Sequence, residues 1–190
     1  DKNKLFSTLY QKAMEGDKDC GGMIACNYYS GEPVTGLEEG RPMFLRRPDS
    51  HLGLANFMRS HLYASLVTLK IGLDILLKEE DVKIDSITGH GGLFKTKGVG
   101  QSILAAAMNA PISVMETAGE GGAWGMALLA AYMLSKKDGQ SLGDYLDSRV
   151  FAERKSETME PDPADVAGFE TYTKQYQACL AAEKVAVQAF

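Results

Sequence analysis

The sequence predicts an α/β domain with a mostly parallel sheet flanked by helices. Short apolar runs alternate with helical patterns, and two of these runs lead into glycine turns that precede a helix. The first turn lies in Ile87–Thr96 (ITGHGGLFKT) and the second in Ala118–Gly125 (AGEGGAWG). Glycine lets a ligand approach the backbone closely, and the amides at a helix N-terminus face an anion. The two consecutive turns therefore predict a nucleotide site.

Each element has its own pattern. Leucines, together with Met58, recur at three- and four-residue steps from Leu54 to Leu76, which is the strongest helical pattern of the chain. A run of Gly, Pro and charged residues over 31–50 predicts a long loop, and Pro161 and Pro163 in a charged stretch predict a linker over 152–163. The other predicted elements are helices near 5–16, 99–108, 121–134 and 141–146 and strands over 22–29, 84–88 and 112–115. A terminal helical segment is predicted over 164–188, with Phe169, Tyr172, Tyr176 and Leu180 on one face.

Composition excludes several classes of protein. The net charge of -5 and the absence of a dense Lys/Arg cluster argue against a nucleic-acid partner. The longest apolar stretch, Ala123–Leu134, is shorter than the roughly 20 residues that a membrane span needs. Cys20, Cys26 and Cys179 are odd in number and lack zinc-ligand spacing, which favours reduced thiols and a cytoplasmic protein. The chain begins at Asp1, without Met, so we expect it to be a piece of a longer protein.

Standard nucleotide motifs are not met. A Walker A loop fails because five residues separate Gly92 from Gly98 and Val99 follows. The dinucleotide pattern G-x-G-x-x-G fails at Phe94, which disfavours a Rossmann-type dehydrogenase. The alternative to a nucleotide site is that a single glycine turn is a plain connection between a strand and a helix.

One motif for a different chemistry is present but incomplete. Gly139–Gly143 (GQSLG) satisfies the G-x-S-x-G pattern of esterases, yet the catalytic His of that fold follows the Ser, and all three histidines precede Ser141. We expect Ser141 to begin a helix as its N-cap. We also expect His61 to lie at the core edge, Trp124 to fill core space, and Glu120 to complement a helix dipole. No complete catalytic set or metal-ligand set is visible, so the chain looks like half of an active site.

Taken together, the motifs resemble a known family. The chain resembles the C-terminal domain of FGGY carbohydrate kinases, and looks most like the xylulose/ribulose branch. The resemblance lies in Gly91-Gly92, the helix leading to Pro111, the strand 112–115, the Gly119–Ala130 helix and Ser30-Gly31-Glu32. The resemblance implies an actin/hexokinase-like (ribonuclease H-like) ATPase fold, of which residues 1–190 would be an incomplete, nucleotide-side domain. It also implies transfer of the γ-phosphoryl group of ATP, with Mg²⁺, to a hydroxyl of a small sugar such as a ketopentose.

The resemblance further implies how the site is divided. Gly91-Gly92 fits the family's adenosine motif, and the residues expected to bind the nucleotide are Gly89, Gly91, Gly92, Lys95 and Thr96. The catalytic base and most sugar contacts would lie in an N-terminal sugar-binding domain of the same protein, so no catalytic residue is assigned to this chain. Whether the protein forms a homodimer is left open by the resemblance. The alternative function is a non-catalytic nucleotide-binding or regulatory domain of the actin-like fold.

Overall fold

The structure is a computed structural model that describes residues 1–115, 121–152 and 156–189. Strands and helices alternate through the middle of the chain, as the sequence predicts. The helices are α1 (Lys2–Ala13), α2 (Leu54–Lys78), α3 (Val99–Met108), α4 (Gly121–Ser135), α5 (Leu142–Arg149) and α6 (Pro163–Ala189). The strands are β1 (Met23–Cys26), β2 (Met43–Arg46), β3 (Ile87–Gly89), β4 (Ile112–Met115) and β5 (Ser156–Met159).

The sheets are small and mixed, so the prediction of a mostly parallel sheet is wrong. β1 pairs antiparallel with β2, while β4 lies between β3, which is parallel to it, and β5, which is antiparallel. β2 and β5, which form the antiparallel pairs with β1 and β4, come from segments predicted as loop (31–50) and linker (152–163). Each has only four residues: β2 (MFLR) is a brief apolar run within a segment rich in Gly, Pro and charge, and β5 is mostly solvent-exposed. Neither gives the extended apolar pattern on which sequence prediction depends.

The core is formed where α2 and α6 pack against β1 and α3. Tyr63 of α2 meets Phe169 and Tyr172 of α6, with ring centroids 4.5 and 5.3 Å apart, and all three rings are fully buried. Aromatic pairs at such distances add to the free energy of area burial. The predicted aromatic face of the terminal helix is therefore confirmed for Phe169, Tyr172 and Tyr176.

A buried ion pair anchors α2 to the start of α6. The guanidinium of Arg59 pairs with the carboxylate of Asp165 and donates to the Tyr63 hydroxyl at 2.9 Å, while Lys18 Nζ lies 2.8 Å from the same carboxylate. By length and composition, α2 could cross a membrane, but it packs on α1, β1, α3 and α6. The core helix of a globular domain passes the same test.

Helix α4 is the exception to this packing. None of its residues is buried, although almost all are apolar, and Met126, Leu129 and Met133 are exposed. Trp124 is half-buried, with its ring centroid 6.0 Å from that of Phe151. The prediction that Trp124 fills core space is therefore wrong.

Candidate nucleotide site

The first glycine turn lies directly between β3 and α3. β3 ends at Gly89, which is buried; a Cβ there would overlap the ring of Phe94, so this glycine serves packing rather than ligand access. Gly91 has φ +109° and Gly98, the residue before α3, has φ +81°. L side chains rarely adopt these conformations, which explains why both positions are glycine. A short 3-10 helix, Gly92–Lys95, joins them.

Of the predicted site residues, Gly91 and Gly92 leave the space around the turn open. A Cβ at either position would meet no atom within 4 Å. Lys95 is exposed at the end of the turn, while Thr96 is buried just before α3 begins. Gly91 and Gly92 therefore leave room for a ligand to approach the backbone of this turn closely.

The start of α4 lies beside the first glycine turn. Gly121 begins α4, and a Cβ at this residue would lie 3.2 Å from Nδ1 of His90 in the first turn. Ala118, Gly119 and Glu120, and with them the predicted dipole role of Glu120, lie outside the described residues. Gly121 thus lies close to the carboxyl end of β3, and ligands of open α/β sheets bind at the carboxyl ends of strands.

Gln101 fixes the helix that carries this site. Its side-chain amide is buried and donates from Nε2 to the carbonyl of Ile112 in β4 at 2.7 Å and to that of Glu157 in β5 at 2.8 Å. One side chain therefore ties α3 to both strands. Sequence reasoning missed this residue, although a single amide within the apolar run of α3 is the signal that would have found it.

Two cavities border Thr96. One, of about 470 Å³, is lined by Thr96, Lys97 and Gly98, and by the ends of β4 and β5. The other, of about 560 Å³, lies between the glycine turn and α1, with Gly92 and Thr96 on one side and Phe6 and Tyr10 on the other. Both fall within the size range of small-molecule sites.

The residues expected to be structural behave as such. Ser141 Oγ accepts from the Asp144 amide at 3.1 Å and caps α5, as predicted, so the esterase-like motif is a helix start. His61 is half-buried beside Phe57, with ring centroids 4.6 Å apart, and burial lowers its pKa. Burial raises the pKa of the Cys26 thiol to about 12, which makes it a poor nucleophile.

The described residues contain no metal-ligand cluster. No group of three His, Cys, Asp or Glu side chains within 1–115, 121–152 and 156–189 is arranged to hold a metal ion. The three cysteines are free thiols. The described part of the candidate site thus has open space at Gly91 and Gly92 and no metal-ligand cluster.

Comparison with known proteins identifies the family. The model of the FGGY family of carbohydrate kinases, C-terminal domain, matches residues 1–134. The chain belongs to the FGGY family of carbohydrate kinases. The resemblance drawn from its glycine turns is thereby confirmed. No curated protein sequence matches the chain significantly.

Solved structures of FGGY-type kinases share the fold. The ligand-bound xylulose kinase from Lactobacillus acidophilus is 20% identical with a TM-score of 0.68; the match covers 93% of this chain and 35% of that one. Gluconate kinase from the same organism is 19% identical, with a TM-score of 0.68 and coverages of 92% and 34%. Plasmodium falciparum glycerol kinase with ADP is 19% identical, with a TM-score of 0.62 and coverages of 94% and 33%. The FGGY chain thus spans about a third of the length of these kinases.

Proposed function

We propose that the chain is the nucleotide-side domain of an ATP-dependent sugar kinase. The observation that carries this proposal is the open cradle at Gly91 and Gly92, placed between β3 and α3 in a chain of a carbohydrate kinase family. An adenosine group needs a close approach to backbone, and neither glycine has a neighbour that would obstruct it. The cavities beside Thr96 offer enough volume for a nucleoside, so the residues present fit the group.

The chain's own part in the reaction is to bind and orient the nucleotide. Phosphoryl transfer depends mostly on positioning and on electrostatic stabilisation, so a rigid mount is a substantial contribution. Gln101 supplies that mount by holding α3, and with it the glycine turn, against β4 and β5. Mg²⁺ would arrive on the phosphates of ATP, since Mg²⁺ is usually bound through substrate phosphates and one or two carboxylates.

The sugar and the base that activates its hydroxyl belong to the rest of the proposed enzyme. We assign them to an N-terminal sugar-binding domain, which is consistent with the coverage of about a third of the similar kinases. A ketopentose of the xylulose or ribulose type is the proposed substrate class, and the xylulose kinases among the similar structures support it. Gluconate and glycerol kinases are equally similar, so the choice rests on assay. A cytoplasmic location is proposed with it, where ATP is available.

A second candidate is a non-catalytic nucleotide-binding domain. The open space around Gly91 and Gly92 suits a bound ligand and does not by itself require turnover. Isothermal titration of the complete gene product with ATP, followed by a sugar-panel assay of ADP release, separates the two functions. ATP binding with sugar-dependent turnover supports the kinase; ATP binding without turnover on any sugar supports the second candidate. No ATP binding contradicts both.

A further inference from the structure

We infer that α1 supplies the wall against which the base of the nucleotide stacks, with Phe6 as the stacking ring. This inference rests on the proposed function and adds a base-binding surface that the glycine turn alone does not provide. The cavity of about 560 Å³ has the turn on one side, through Gly92 and Thr96, and α1 on the other, through Phe6 and Tyr10. A planar ligand entering the cradle would therefore face an aromatic surface.

The exposed aromatic surface of α1 is suited to this task. Phe6 and Tyr10 stand one helical turn apart on the same face of α1, with ring centroids 6.3 Å apart and an interplanar angle of 58°. Phe6 is 46% exposed, so part of its ring is free to contact a ligand. Aromatic rings bind bases by stacking, a contact that every base can make because each has a π-face.

The cavity on the other side of Thr96 is less suited to a base. Its aromatic residue, Phe94, packs over Gly89 and is thereby engaged in holding the end of β3. Its rim carries an ion pair, in which Lys97 Nζ lies 3.2 Å from Glu157 Oε2. The α1 side offers a base the partly exposed ring of Phe6, and Asn3 and Ser7 border the cavity there and offer polar groups to a base edge. The charged residues Asp1, Lys4 and Lys95 also line this cavity.

A direct link holds α1 opposite the turn. The side-chain amide of Gln11 donates from Nε2 to the carbonyl of Lys97 at 3.4 Å, which connects α1 to the segment between Thr96 and α3. α1 also packs along α2, with Ala13 buried, while Phe6 stays partly exposed. These contacts place the Phe6 ring on the side of the cavity opposite the glycine turn.

The test uses the complete gene product and two probes, ATP and inorganic tripolyphosphate, which lacks a base. In titration calorimetry, Phe6→Ala should weaken ATP binding about tenfold, the usual order for one lost base stack, and leave tripolyphosphate binding within twofold. Phe6→Trp should keep ATP affinity within threefold, and its added fluorescence should be quenched by ATP but not by tripolyphosphate. Leu5→Ala is the matched control, because Leu5 is 57% exposed on the same helix and does not line the cavity.

The outcomes separate this inference from the proposed function. If Gly92→Val abolishes ATP binding while Phe6→Ala leaves it unchanged, the stacking wall is wrong and the nucleotide site stands. If Phe6→Ala weakens both probes equally, or Leu5→Ala has the same effect, the ring acts on the fold and the inference is overturned. If the wild-type protein binds no ATP, the proposed function itself fails.

Discussion

Gly92 offers the sharpest perturbation of the nucleotide site, because a side chain there changes the cradle with little effect on the fold. Gly92 has ordinary backbone angles, is exposed, and would place a Cβ with no atom within 4 Å. Replacing such a glycine restricts the unfolded chain, so we expect Gly92→Val to change the free energy of unfolding by less than about 1 kcal/mol. The three added carbons, however, would occupy the space that the nucleotide needs.

Gly91 serves as the contrasting position. Its φ of +109° lies where L side chains are rare, so Gly91→Val should cost about 1–3 kcal/mol of stability besides obstructing the cradle. Gly53→Val is the control for ATP binding: Gly53 also has open space around it, has extended backbone with φ -161°, and does not line either cavity. Because Gly53 is the N-cap of α2 and Val is a poor cap, this variant should itself lose about 1 kcal/mol of stability. The three variants therefore separate strain, obstruction and the mere addition of a valine.

The assay pairs thermal unfolding with titration of ATP into the complete gene product. We expect ATP affinity to fall at least tenfold in Gly92→Val, a loss of about 1.4 kcal/mol or more, with no change in Gly53→Val. If only Gly91→Val loses ATP binding, backbone strain at Gly91 explains the loss. The reasoning is refuted if Gly92→Val folds normally and binds ATP within twofold of the wild type.

Three further predictions concern the stability of the fold, which is measured on the 190-residue chain. Ser141→Ala removes the cap of α5 and should lower the free energy of unfolding by about 1 kcal/mol in urea denaturation, while ATP binding by the complete gene product stays unchanged; loss of ATP binding would contradict the assignment of Ser141 as a cap. Arg59→Met leaves the buried Asp165 with Lys18 as its partner and should cost about 3 kcal/mol by the same method, whereas a change below 1 kcal/mol would mean that the buried pair contributes little. His61 has a pKa lowered by burial, so the unfolded chain takes up its proton first and stability falls as the pH drops below about 6.5. His61→Phe should therefore reduce the loss of stability between pH 7.5 and 5.5, with His90→Gln, at an exposed position, as the control; equal losses in wild type and His61→Phe would contradict this.

Elements with a buried face could be predicted closely from the sequence. The predicted bounds of α3 and β4 agree with the structure. The apolar run of α3 stops before Asn109, and that of β4 begins at Ile112, directly after Pro111. The terminal helix and its aromatic face follow from the same periodicity. These elements could be predicted because the apolar face that gives the sequence its pattern is the face that packs against a neighbouring element.

Polar and long-range features could not be predicted. β2 and β5 are strands of four residues whose pairing depends on partners far away in the chain, so their residues were predicted as loop and linker. The apolar composition of α4 suggested burial for Trp124, yet no residue of α4 is fully buried, because composition alone does not reveal which partner covers a helix. The cavity beside α1 joins residues about 90 positions apart, and no local pattern marks such a juxtaposition.

The central claim is that this chain holds the nucleotide for a sugar kinase whose catalytic base lies in another domain. A coupled assay of ADP release tests it most directly, with the 190-residue chain and the complete gene product compared on a panel that includes xylulose, ribulose, gluconate and glycerol. We predict sugar-dependent ADP release by the complete gene product, fastest with a ketopentose, and none by the 190-residue chain. Robust sugar-dependent ADP release by the chain alone would contradict the divided site, and a complete gene product that binds ATP yet phosphorylates no sugar would contradict the kinase.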